Sequence, residues 1–162
     1  MRVLGIDQSL SKCAFCFMVD GEVASTDLSK TGASKVKGKR PDTSYYDCLH
    51  KQIHHICTDL SGHLSEFKPD KIVFESLSFG SVGDATRNLA CLYGAMRETI
   101  IDSGWKGEVY QYAPTALKSY ARDFLPEEQQ FEGLLKTGKP KKVKMDKKLM
   151  VASVKELYGQ DY

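Results

Sequence analysis

Two carboxylates sit where chemistry is expected. Asp7 closes the apolar run Val3-Leu4-Gly5-Ile6, and Glu75 closes Ile72-Val73-Phe74. A charge at the rim of a core is costly unless it is paired or bound to a cation. Ligand sites of open α/β sheets gather at strand ends. Magnesium takes oxygen ligands and needs only one or two protein carboxylates, leaving its other positions to water and phosphate. Two such ions about 3.5–4 Å apart suit phosphodiester cleavage, one activating the attacking water and one stabilising the leaving oxygen. Either acid taken alone reads as an ordinary strand-end residue at a solvent boundary.

The elements that must position these acids follow from pattern. Asp20-Gly21, between Cys13–Val19 and Glu22–Thr26, is a hairpin signal, so three antiparallel strands are expected first. The stretch Ser29–Asp42 is polar, Lys-rich and interrupted by Pro41, which predicts a loop. From Thr43 or Ser44 to Phe67, Leu49, Ile53, Ile56, Leu60 and Leu64 recur every three or four residues, one face of a long helix ended by Pro69-Asp70. Lys71–Glu75 reads as a buried strand. Asp84 is the expected cap of a second helix carrying Leu89, Leu92, Tyr93 and Met96 as core, stopped by Gly104. Glu108–Tyr112 is a strand, Pro114 opens a short helix, and Asp146–Tyr158 forms a last one ended by Gly159. The region Pro126–Met145, acidic and then basic, reads as an insertion. This order describes an α/β fold, a mixed five-stranded sheet flanked by helices, as in ribonuclease-H-like proteins.

A single domain is expected for 162 residues at 41% hydrophobic content. No apolar run approaches the roughly 20 residues of a membrane span, so a cytoplasmic protein without a membrane partner is expected. The five cysteines are scattered and odd in number, which favours reduced thiols. Cys13 and Cys16 would point to opposite faces of a strand, and His50 and His54 lack the Glu of a zinc-protease helix. Net charge is only +2, but Lys136, Lys139, Lys141, Lys142, Lys144, Lys147 and Lys148 face one acid, Asp146, and Lys30–Arg40 is basic without any acid. Such runs are solvated surface or phosphate contacts.

Leu4-Gly5-Ile6-Asp7-Gln8-Ser9-Leu10 resembles the first motif of RuvC-type Holliday junction resolvases, and Ile72-Val73-Phe74-Glu75 their second. Leu92–Arg97 is similar to their small-residue helix, and Tyr112–Lys118 to the strand-to-helix segment that ends in lysine. The resemblance implies a crossover junction endodeoxyribonuclease that uses Mg²⁺, with Mn²⁺ substituting, and acts on branched DNA as a homodimer in a bacterial or phage-infected cell. It implies Asp7 and Glu75 as metal ligands, Lys118 beside the scissile phosphate, and Phe79 as a wedge at the junction, offset by one residue from the family position. Arg87, Lys139, Lys141 and Lys142, with Lys35, Lys37 and Lys39, are expected DNA contacts.

The family also carries two acids in an Asp-x-x-Asp pattern on a final helix, after a stretch like Leu149–Asp161. They are not within residues 1–162, and a truncation just before them is expected. Asp146, a helix cap, and Asp161 are not expected to replace them. A non-catalytic junction binder is the alternative. A sugar-kinase-like phosphotransferase, which also opens on Gly-Ile-Asp, would require a second phosphate loop and a larger body.

Overall fold

The computed structural model describes residues 1–31, 48–77 and 83–159. Its contacts divide the chain into two compact units, Met1–Tyr112 and Ala113–Tyr162.

The first unit is built on a five-stranded sheet of order β3-β2-β1-β4-β5. β1 (Arg2–Asp7) pairs antiparallel with β2 (Lys12–Val19), which pairs antiparallel with β3 (Glu22–Lys30). The β2–β3 connection is the two-residue turn read from sequence: Asp20 and Gly21 have φ of 53° and 92°, both positive as a type I′ turn demands. β3 extends through Lys30, so Ser29 and Lys30 belong to the sheet and not to the expected loop. Ser29 is buried there. Beyond the sheet, the rest of that expected loop from residue 32, with Lys35, Lys37 and Lys39, lies outside the described residues. The helix expected from Thr43 or Ser44 begins only at Leu49, because Cys48 is extended, with φ of -139°, and forms its N-cap.

α1 (Leu49–Phe67) buries Ile56, Leu60 and Leu64, the stripe its spacing predicts. It ends at Lys68, whose φ of 48° lets its N–H reach the Leu64 carbonyl, one residue before Pro69. β4 (Lys71–Glu75) then runs parallel to β1, and β5 (Glu108–Tyr112) parallel to β4. Between them α2 (Asp84–Asp102) buries Leu92, Met96 and Ile100. Its cap is Gly83, not Asp84 as expected from sequence: Asp84 occupies the first turn and its carboxylate engages Arg87.

The core lies on one face of the sheet. Leu4 and Ile6 of β1, Cys13, Phe15 and Phe17 of β2, and Ile72 and Phe74 of β4 pack there against α1 and α2. Because side chains alternate along a strand, Gly5 and Asp7, and Val73 and Glu75, belong to the opposite face. The loop into β5 is held closely: Trp105 donates its indole N–H to the Pro69 carbonyl at 2.6 Å, and a Cβ on Gly107 would lie 2.1 Å from the Trp105 ring. Only glycine fits at that position.

The second unit contains α3 (Pro114–Arg122), a four-residue α4 (Glu127–Gln130), a hairpin of β6 (Phe131–Leu134) and β7 (Pro140–Lys142), and α5 (Lys147–Tyr158). Asp146 caps α5 by accepting the Leu149 N–H at 2.9 Å, and Gly159 ends it with φ of 67°. The stretch 126–145 thus carries short elements of its own, and its last residue, Met145, is buried. Leu157 on α5 is exposed. Among the described residues no helix is long and apolar enough to cross a membrane.

Candidate metal-binding site

The site is assembled by register. β1 and β4 pair in parallel from Val3 with Lys71 to Ile6 with Phe74, so Asp7 and Glu75 follow together at the next position. Neighbouring strands lie about 4.8 Å apart, which sets both carboxylates at the same end and on the same face of the sheet. The apolar residues before them explain the placement: Leu4, Ile6, Ile72 and Phe74 anchor the strands in the core, leaving the acids at its rim.

A residue that pattern reasoning passed over completes the arrangement. Gln8, buried just after Asp7, donates from Nε2 to the Glu75 main-chain carbonyl at 2.8 Å. The amide orientation follows, since only its NH₂ can donate to a carbonyl. This bond acts as one more rung between the ends of β1 and β4. Its Oε1 is buried with no hydrogen-bond partner. The available signal was position: a side chain able to donate, directly after a strand-end acid.

Desolvation raises the Asp7 carboxyl above the ordinary aspartate range, and no cation among the described residues offsets it. A raised folded value means the folded protein holds that proton more tightly than the unfolded chain. Ionised Asp7 therefore costs stability as pH climbs through the folded value, and the cost vanishes below the ordinary value. A divalent cation would remove that cost, and two carboxylates beside solvent are a suitable oxygen donor set for Mg²⁺.

Asp7→Asn should accordingly stabilise the protein slightly in chelator at neutral pH, by less than about 1 kcal/mol for a group so exposed, read as a small rise in Tm. Saturating Mg²⁺ should stabilise the parent protein by about 1–3 kcal/mol and the variant far less. Differential scanning fluorimetry with and without Mg²⁺ checks both. Equal metal responses would remove Asp7 from the site.

Among the described residues no group of three or more His, Cys, Asp or Glu gathers as a metal cluster. The Cys13 thiol is buried on the core face and pushed up to about 12 by desolvation, while Cys16 belongs to the other face. His55 pairs with Asp59 on α1 at 3.5 Å, and His50 lies 3.6 Å from the Cys48 sulfur.

The other expected residues belong to different elements. Lys118 is exposed on α3 in the second unit. Arg87 is exposed on α2 beside Asp84. Lys139, Lys141 and Lys142 are exposed at the β6–β7 hairpin, where Lys141 bridges to Glu132 at 2.8 Å. Phe79 and Asp161 lie outside the described residues.

The sequence matches no family model. It also matches no curated protein. Solved structures do share its architecture. RuvC of Thermus thermophilus, in complex with a Holliday junction substrate, aligns with a TM-score of 0.58 at 16% identity, over 74% of this chain and 68% of that one. Another structure of the Thermus thermophilus protein aligns over all of this chain and 82% of its own length, with a TM-score of 0.64 and 16% identity. The yeast mitochondrial Holliday junction resolvase aligns at 14% identity with a TM-score of 0.54, over 80% of this chain but only 57% of that one. With its mixed five-stranded sheet and flanking helices, the chain has the ribonuclease-H-like fold of the RuvC-type Holliday junction resolvases.

Proposed function

We propose that this protein is a divalent-metal-dependent, structure-selective DNA endonuclease that cleaves four-way junctions by phosphodiester hydrolysis. The observation that carries the reading is the shared position of Asp7 and Glu75 at the ends of adjacent parallel strands, tied together by Gln8. Asp7 and Glu75 are the residues that hold Mg²⁺, or Mn²⁺ in its place. When bound, the ion supplies an activated water nucleophile and neutralises charge on the phosphate. Gln8 keeps the two strand ends in register, so that both carboxylates face one phosphodiester. Lys118 is assigned the stabilisation of phosphate charge as it builds. Phe79 is assigned the opening of base pairs at the branch.

DNA is gripped through its phosphates, by Arg87 and by Lys139, Lys141 and Lys142, with selectivity resting on branch geometry more than on base edges. Two identical incisions in a two-fold junction call for a homodimer with C2 symmetry. The test is cleavage of a labelled four-way junction in Mg²⁺ beside a linear duplex of the same sequence. Selective, paired nicks support the proposal, and equal cutting of both substrates overturns it.

A junction-binding protein without catalysis is the second reading, favoured because no third His, Cys, Asp or Glu joins a metal-holding group among the described residues. It predicts tight junction binding with no nicks in Mg²⁺ or Mn²⁺.

Replacing Lys139, Lys141 and Lys142 by Gln should weaken DNA binding and reduce the slope of log K against log salt by roughly 0.9 for each phosphate that is no longer neutralised. Lys141 should contribute least, because Glu132 competes for its ammonium. Titrations at several salt concentrations check this, and an unchanged slope removes the hairpin from the phosphate interface.

A further inference from the structure

The β6–β7 hairpin carries an apolar tip that packing does not explain. Leu134 is 70% exposed and the adjoining Leu135 47%, with Phe131 at 41% at the base of the same strand. Scattered exposed leucines are ordinary on protein surfaces. Two consecutive ones at the end of a built hairpin are a different matter.

The hairpin itself is well braced. Phe131 pairs with Lys142 and Leu134 with Pro140, while the Leu135 N–H donates to the Lys139 carbonyl at 2.8 Å. Gly138, with φ of 77°, makes the turn, and its N–H donates to the Leu135 carbonyl at 2.9 Å. At the base, Arg122 Nε donates to the Val143 carbonyl at 3.1 Å. Around the tip the charge is of one sign. Glu132 is taken up by Lys141, Lys136 and Lys139 at the turn have no ion-pair partner among the described residues, and Lys142 and Lys144, also without one, continue the positive charge at the base.

A preformed apolar point flanked by lysines matches one surface well: phosphates for the lysines, and an opened base step for the leucines. Apolar wedges that part base steps are a recurrent device of DNA-deforming proteins, and the unstacking they require is least where pairing is already interrupted. We infer that Leu134 and Leu135 form a wedge that enters the unpaired or unstacked centre of branched DNA, while the neighbouring lysines hold the flanking phosphates. The inference rests on the DNA-junction reading proposed above and adds a second opening element, distinct from Phe79.

The test uses the full chain in Ca²⁺ with four-way junctions carrying 2-aminopurine at the branch point, whose fluorescence rises when the base unstacks. The protein should increase the signal, and L134S/L135S should lower that increase about fivefold. Linear-duplex affinity, salt slope and circular dichroism should stay unchanged, because both side chains are exposed. A variant that retains the full increase overturns the wedge, as does one that loses duplex affinity in proportion. Binding to phosphatidylglycerol vesicles that the variant loses, with an unaltered junction signal, assigns the tip to membranes and also overturns it. Failure of the parent reading has a different signature, since the unsubstituted protein would then not bind the junction in preference to duplex.

Discussion

Asp7→Asn, and separately Glu75→Gln, should lower junction cleavage in Mg²⁺ by roughly a thousandfold or more, the loss of several kcal/mol of transition-state stabilisation. Junction affinity in Ca²⁺ should change little. Each substitution keeps side-chain size and removes one charged oxygen donor from a pair placed side by side by the β1–β4 register. A single remaining carboxylate leaves the cation weakly held and poorly oriented. Asp7 is exposed at its strand end and desolvation already disfavours its charge, so the neutral replacement does not threaten the fold. For Asp7→Asn the loss should therefore lie in catalysis alone. Single-turnover cleavage beside mobility-shift titrations makes the comparison. Parallel loss of both readouts would move these acids from chemistry to structure.

The second large effect concerns stability. Phe74→Ala should destabilise the protein by about 3–5 kcal/mol. Phe74 is fully buried and packs edge-on against Tyr93 at 5.3 Å, joining β4 to α2. Truncation removes both the apolar transfer energy and the aromatic contact, and the sheet on one side limits how far the site can collapse. In a chain of this size each kcal/mol shifts Tm by about 2–4 °C, so a fall of roughly 6–20 °C is expected. Urea unfolding gives the free energy directly, and a cost under about 1 kcal/mol would contradict the packing described. Phe74 immediately precedes Glu75, so the surviving folded protein should also bind Mg²⁺ more weakly.

Much of this architecture was written locally. The short apolar run Ile72-Val73-Phe74 located β4, and the period-3.6 spacing located the buried stripes of α1 and α2, because a helix that packs on one core must repeat with its own geometry. Asp20-Gly21 defined the β2–β3 turn through the positive φ that only a few residues accept. Asp7 and Glu75 were legible as strand-end acids, each by itself. Their partnership was not, because it depends on a parallel pairing between segments 68 residues apart and on a register that no local pattern encodes. The same holds for Gln8, whose role lies in a bond to a distant carbonyl, and for Asp84, where Gly83 took the cap and Arg87 the carboxylate. The hairpin between Phe131 and Lys142 read as insertion because its composition shows charge and not pairing. Local chemistry thus determined most elements of the five-stranded sheet and its two long helices and the faces those helices bury, whereas tertiary structure alone decided which side chains meet, since long-range register is selected by the packing of the whole sheet at once.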